Sequence, residues 1–258
     1  MKVSLDDARL APGKRLYAIG DIHGCLIELN ALLDRIRDDL EQRPVEQHRI
    51  IFIGDYVDRG PDSKGVITRL IDLRETGQPV QFLRGNHEEK LINAINGMTL
   101  EAVDGFARYG GLETLASYGL NDLGHLSSSM KKKHLNRLTD DIAAAVGSEH
   151  REFLDNLETS FVEGDYFFCH AGVDPTRSLN DQSEHDLVWM REPFLSHKKR
   201  LEKVVVHGHT PRRAVEFRRH RVNVDTGCVY GGTLTALVLE EGEKRLLEVA
   251  SQTRYLKP

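Results

Sequence analysis

Short apolar runs rich in β-branched and aromatic residues alternate along this chain with longer segments in which apolar positions recur every three or four residues. RLYAIG (Arg15 to Gly20), RIIFIG (Arg49 to Gly54) and PVQFLRG (Pro79 to Gly85) predict strands, each ending on glycine. Between them, Leu26, Leu29, Leu32, Leu33 and Ile36 share one helical face, as do Val66, Ile67, Leu70 and Leu73. The first half therefore reads as strand, loop and helix repeated. That pattern predicts a partly parallel sheet whose ligands collect at the carboxyl ends of the strands. From Gly97 to about Leu157 the chain is more helical and polar and reads as a small inserted helical cap. Its Lys131, Lys132 and Lys133 are expected on a solvated helix face. Strands return at Tyr166 to His170, Lys203 to His207, Arg221 to Asp225, Thr233 to Leu239 and Arg245 to Ala250. No linker rich in Pro, Gly or Ser divides the halves, so one α/β (α+β) domain is expected over residues 1–258.

Composition narrows the function classes. The 258 residues are 40% apolar and 29% charged, as in an ordinary globular protein. With 35 basic and 40 acidic residues the net charge is −5, which argues against a nucleic-acid partner, although local basic patches remain compatible with it. The opening segment carries two aspartates where a secretory core would lie, and no apolar run reaches spanning length, so a cytoplasmic protein without a membrane partner is expected. Cys25, Cys169 and Cys228 show no CxxC spacing and read as reduced packing thiols. Nothing in the pattern addresses oligomeric state.

The chemistry lies in segments that follow the predicted strands: GDIHG (Gly20 to Gly24), GDYVDRG (Gly54 to Gly60), GNHE (Gly85 to Glu88), His170, and HGHT (His207 to Thr210). Their oxygen and imidazole donors, Asp21, His23, Asp55, Asn86, His170 and His209, suit two divalent ions, with Mn²⁺ favoured and Fe or Zn compatible. Asp21 and His23, two apart at a strand end, are expected to point the same way and share one ion. Asp55 would bridge, and Asn86, His170 and His209 would complete the second ion, although spacing alone leaves His207 open as the ligand in place of His209. Gly20 and Gly24 are expected to let metal and oxyanion approach the backbone. Two ions roughly 3.5–4 Å apart lower the pKa of a shared water and hold the attacking and leaving oxygens of an in-line displacement, which suits phosphoryl transfer. His87 is placed beside the ions, with Asp58 as its orienting partner, and Arg59 is suited to bidentate phosphate binding. On spacing alone Arg191 is only a surface arginine after a buried Trp189.

The ordered set GDIHG, GDYVDRG, GNHE, HAGV and HGHT, over roughly Arg15 to Leu239, resembles the calcineurin-type metallophosphatases, in their phosphoprotein phosphatase branch. The resemblance implies a central sandwich of two mixed β-sheets flanked by helices, with a dinuclear metal site at the strand ends. It implies Asp21, His23 and Asp55 on one ion and Asp55, Asn86, His170 and His209 on the other. His87 with Asp58 becomes the implied general acid, and Arg59 and Arg191 the implied phosphate clamps, beside Asn86. Arg191 gains its role only here, from a WxR segment similar to that of bacterial and phage enzymes.

The substrate is read two ways. The complete GDxVDRG and GNHE motifs resemble those of serine/threonine protein phosphatases, whereas symmetrical diadenosine tetraphosphate hydrolases tend to lose the aspartate matching Asp58. Against this, DTGCVYGGTLTAL (Asp225 to Leu237) resembles a segment common in bacterial dinucleoside polyphosphate hydrolases. A phosphomonoesterase acting on a phosphoprotein or small phosphorylated substrate is the favoured reading, and a bis(5′-nucleosyl)-tetraphosphatase the alternative.

Overall fold

The computed structural model describes residues 2–121 and 132–252, which form ten strands in two five-stranded sheets. Lys131 and His125 lie outside the described residues, as do the side chains of Lys132 and Lys133.

In the first sheet, β1 (Lys14–Ile19), β2 (Gln47–Phe52) and β3 (Val80–Phe82) run parallel. Helices α1 (Leu26–Gln42) and α2 (Ser63–Glu75) supply the crossovers. Strands β9 (Thr233–Glu240) and β10 (Glu243–Ala250) close the other side antiparallel, with Leu239 opposite Leu16. In the second sheet, β5 (Tyr166–Cys169), β6 (Val204–His207) and β8 (Arg221–Asn223) are parallel, edged by antiparallel β4 (Ser160–Glu163) and β7 (Glu216–Arg218). The patterned strands are therefore where the sequence predicts them. The two edges were not expected, because strands of three or four residues carrying exposed Val162 and Phe217 have no apolar alternation and exist through pairing alone.

Period-two alternation distributes the core. Leu16, Ala18 and Ile51 face Tyr166, Phe168, Val204 and Val206 between the sheets. Their neighbours Tyr17, Ile19, Ile50 and Phe52 face outward beneath α1 and α2. Helices α3 (Asn86–Asn96), α4 (Leu100–Phe106), α5 (Leu112–Ser117) and α6 (Lys132–Asp155) follow. Val103, Phe106, Leu115, Ile142 and Phe153 join the same cluster as Leu29 and Ile50, so the helices of the expected cap are rooted in the core of the first sheet. On the outer face of the second sheet, Phe167 and Val205 pack with Leu187 of α7 (Glu184–Trp189) and with Phe194. No helix of the described residues is long and apolar enough to cross a membrane.

Candidate metal centre

Each parallel strand delivers its polar residues from the loop at its carboxyl end, and α3 presents Asn86 and His87 in its first turn. The loops are not extended continuations of the strands. His23, Asp55, Asp58, Arg59 and His209 all have positive φ, from 47° to 71°, and Glu241 is the only other non-glycine residue that does so among the described residues. Left-handed backbone at such residues costs energy and collects where side chains must be aimed. The expected extended arrangement of Asp21 and His23 is thus replaced by a turn. The glycines also serve differently from the expectation: a Cβ on Gly20 would strike the Val224 carbonyl, and one on Gly24 the Gly60 backbone at 2.9 Å. They admit neighbouring loops rather than an ion.

Two groups of donors result. Ligand atoms of His23, Asp55 and His87 lie within 4.8 Å of one another, as do those of Asp55, His170 and His209. Asp55 is common to both. Asn86 Oδ1 stands 3.0 Å from His170 Nε2 and 2.8 Å from His209 Nδ1. Asp21 is in neither group; its carboxylate accepts from the His209 backbone N–H at 3.1 Å. His207 points elsewhere: Nδ1 donates to the Gly208 carbonyl at 3.1 Å, and Nε2 accepts from Arg221 at 3.3 Å.

Backbone carbonyls fix the imidazoles. His23 Nδ1 donates to Val57 O at 2.8 Å and His170 Nδ1 to Ile53 O at 3.0 Å, which leaves the Nε2 lone pairs facing inward. The lone pair of His23 is met by Arg59 Nη1 at 2.5 Å. His87 Nδ1 donates to Asp58 Oδ2 at 2.6 Å, and Asp58 Oδ1 accepts from Thr114 at 2.6 Å. Burial pushes His87 down to about 3 and Asp58 up to about 7. Both directions are those of groups shut away from water. Burial works against the charge on Asp55 too, but the facing imidazoles of His170 and His87 hold its carboxyl well below the usual range. Arg59, Asn86, His87, Arg191 and His209 line a pocket of about 170 Å³ over these groups, with Lys90 and Tyr109 at its wall. Arg191 is exposed at this pocket, and Trp189 before it is half-buried rather than buried.

Residues 14–241 match the calcineurin-like phosphoesterase family. The chain belongs to that family. Among curated relatives, it is 29% identical over 244 residues to the asymmetrical bis(5′-nucleosyl)-tetraphosphatase PrpE of Halalkalibacterium halodurans, covering 87% of this chain and 90% of that protein. It is 29% identical over 258 residues to the enzyme of the same name from Oceanobacillus iheyensis, covering 94% of each. A crystal structure described as a candidate diadenosine tetraphosphatase shares the fold at a TM-score of 0.63 and 23% identity, over 95% of this chain and 99% of that one. The protein tyrosine phosphatase of a psychrophilic Shewanella does so at 0.56 and 16%, over 95% and 83%.

Membership of the calcineurin-like phosphoesterases implies divalent metal ions, and the donor set fits them. Burial together with the charges of Asp225 and Asp55 pushes the Asp21 carboxyl well above its usual range. Burial likewise pushes Asp225 up to about 6. Three carboxylates and inward-facing imidazole lone pairs in a dry site call for positive charge.

Two residues of this centre escape spacing arguments. Glu88 is fully buried, and its two oxygens accept the backbone N–H groups of Gly85 (2.8 Å), Asp55 (2.8 Å), Tyr56 (2.7 Å) and Val57 (3.3 Å), clamping the Asp55 loop onto α3. A glutamate at the third position of a helix is the one signal in the sequence that marks it. Asp225 follows β8 and accepts from Gly227 N at 3.1 Å beside Asp21. Only the DTGC segment hints at it.

Proposed function

We propose that this chain is a metal-dependent hydrolase of dinucleoside polyphosphates that releases a nucleoside triphosphate and a nucleoside monophosphate. The observation that carries this reading is the similarity to asymmetrical tetraphosphatases along almost the whole of both chains. The intact Asp58, which sets the sequence apart from symmetrical hydrolases, does not count against an asymmetrical one.

Asp55, Asn86, His170 and His209 would hold one ion, and His23 and Asp55, with Asp21, the other. Bound divalent ions would supply a nucleophilic hydroxide at neutral pH and neutralise phosphoryl charge. For one ion to reach His23, the Arg59 guanidinium must move off Nε2, and it then becomes free for phosphate. Arg59 and Arg191, which both line the pocket, clamp the phosphoryl oxygens. His87, held by Asp58, delivers a proton to the leaving oxygen once the charge of the bound phosphoryl chain has drawn a proton onto its Nε2.

A serine/threonine protein phosphatase is the second reading. The Asp58–His87 pair favours it, because an alkoxide leaving group needs an acid more than a triphosphate does. Turnover of diadenosine tetraphosphate and of a phosphoserine peptide, assayed side by side with product analysis, tests the order. The expected outcome is ATP and AMP from the dinucleotide, at a kcat/KM at least about tenfold above that of the peptide. A tenfold preference for the peptide reverses the order.

A further inference from the structure

The small pocket over the metal centre shares Arg59 and Tyr109 with a much larger groove of about 820 Å³. Its walls are the π-helical segment Ala107–Gly111 and the loops at Pro211 to Arg213 and Thr226 to Gly232. Arg59, Arg108, Arg212 and Arg213 line it, and Glu113 is the only carboxylate that does, so the lining carries a surplus of three positive charges. That runs against the net charge of −5 for the whole chain. Among the described residues none of these four arginines is in a carboxylate salt bridge. The groove also has an aromatic floor. Tyr109 stays 47% exposed while Lys90 Nζ stands 4.0 Å from its ring centroid, and Arg59 lies 5.7 Å over Tyr230.

We propose that this groove binds the leaving half of the substrate, a nucleoside triphosphate, with Arg108, Arg212 and Arg213 on the phosphates beyond the one attacked and Tyr109 stacked against the base. The proposal rests on the dinucleoside polyphosphate reading above. A phosphomonoester places all its charge within the small pocket and has nothing to offer a second cluster of guanidinia, whereas a polyphosphate leads from the metal centre past Arg59 into it. The groove meets the metal centre on the side of Arg59 and Tyr109. With its arginines on that side, three phosphates are held there and one is left over the ions, which makes cleavage asymmetrical. A base needs a π surface and no particular hydrogen-bond code to be held, and Tyr109 supplies one.

The test uses the full chain loaded with Mn²⁺ and titrated with ATP, AMP and tripolyphosphate in a calorimeter. Arg212→Ala/Arg213→Ala is compared with wild type and with Lys199→Ala, an exposed control away from the groove. The double variant is expected to weaken ATP and tripolyphosphate by about tenfold or more, and AMP by no more than about twofold. Tyr109→Ala should weaken ATP about fivefold or more and spare tripolyphosphate, and Tyr109→Phe should restore ATP. In turnover, the double variant should lose at least about tenfold more kcat/KM on diadenosine tetraphosphate than on nitrophenyl phosphate. Retained nitrophenyl phosphate turnover shows that a variant is folded. Equal ATP affinity in wild type and the double variant overturns the groove assignment even where the dinucleotide is hydrolysed. Arginine-dependent ATP binding in a protein that leaves the dinucleotide intact supports the groove and sinks the proposed reaction.

Discussion

His170 Nε2 and His209 Nδ1 stand 3.2 Å apart, with the carboxamide oxygen of Asn86 within 3.0 Å of each. Because His170 Nδ1 faces Ile53 O, its Nε2 is the atom turned into this meeting. Burial opposes charge on the ring, but the Asp55 carboxylate 3.3 Å from Nε2 raises its pKa and favours positive charge there. Such convergence is favourable around a cation and repulsive without one.

Chelation should therefore abolish phosphoester turnover and also lower the melting temperature, since an ion that binds only the folded state stabilises it by mass action. Mn²⁺ in excess should restore both. Asp55→Asn should do more damage than Asp21→Asn, because Asp55 belongs to both donor groups. Undiminished activity in metal-stripped protein would refute the centre.

Changing the leaving group isolates His87. With the proton donor removed, His87→Asn should cost about 10²–10⁴-fold on phosphoserine and far less on nitrophenyl phosphate or a dinucleotide, whose leaving groups depart as weak bases. Asp58→Asn should follow the same order more weakly. Equal losses on all three substrates would make His87 a metal or packing residue.

Glu88 governs stability rather than chemistry. Removing it strands the N–H groups of Gly85, Asp55, Tyr56 and Val57 in a dry site, so Glu88→Ala should lower the unfolding free energy by about 3–5 kcal/mol. Glu88→Gln should recover part of this, because one of its two oxygens becomes an amide donor. Denaturant titration reads both, and a loss under about 1 kcal/mol for the alanine variant would contradict the clamp.

Acid should unfold the protein through His207. Burial and the neighbouring Arg221 push its pKa down to about 3, against about 6.5 when unfolded. Between these values the unfolded chain holds a proton there that the folded chain lacks. Stability is therefore fully present above pH 6.5 and falls by about 1.4 kcal/mol per pH unit below it, from this residue alone, until about pH 3. His207→Gln should make that limb shallower in denaturant midpoints measured from pH 7 to pH 4, with the share due to His87, pushed down likewise, remaining.

The centre was legible where residue type and spacing carried it. Asp55, Asn86, His170 and His209 each follow a run whose β-branched and aromatic residues mark a strand, so strand ends and donors were readable together. His23 was readable as a donor but not in its aim, because a positive φ at a non-glycine residue leaves no trace in composition. Glu88 and Asp225 act on loops distant in sequence, and a single chain does not show which loops meet. The order of substrates failed to resolve for a similar reason. The motifs describe the phosphoryl pocket shared by both reactions, whereas the arginines proposed to separate them lie outside every motif, in the π-helical segment at Arg108 and the loop at Arg212.

The register of β1 carries a consequence for how the protein is made. Its neighbours are β2 on one side and β9 on the other, with Leu16 opposite Leu239. During synthesis β1, α1 and β2 emerge early, but the first sheet stays open along the β1 edge until β9, which follows the whole second sheet in sequence, has been made. Closing so long a loop is slow, and an unpaired, apolar central strand is exposed meanwhile to other chains. The nascent protein therefore carries Asp21, His23, Asp55 and Asn86 long before His170 and His209 exist. The donor group of Asp55, His170 and His209 can form only once β5 and β6 of the second sheet have been made.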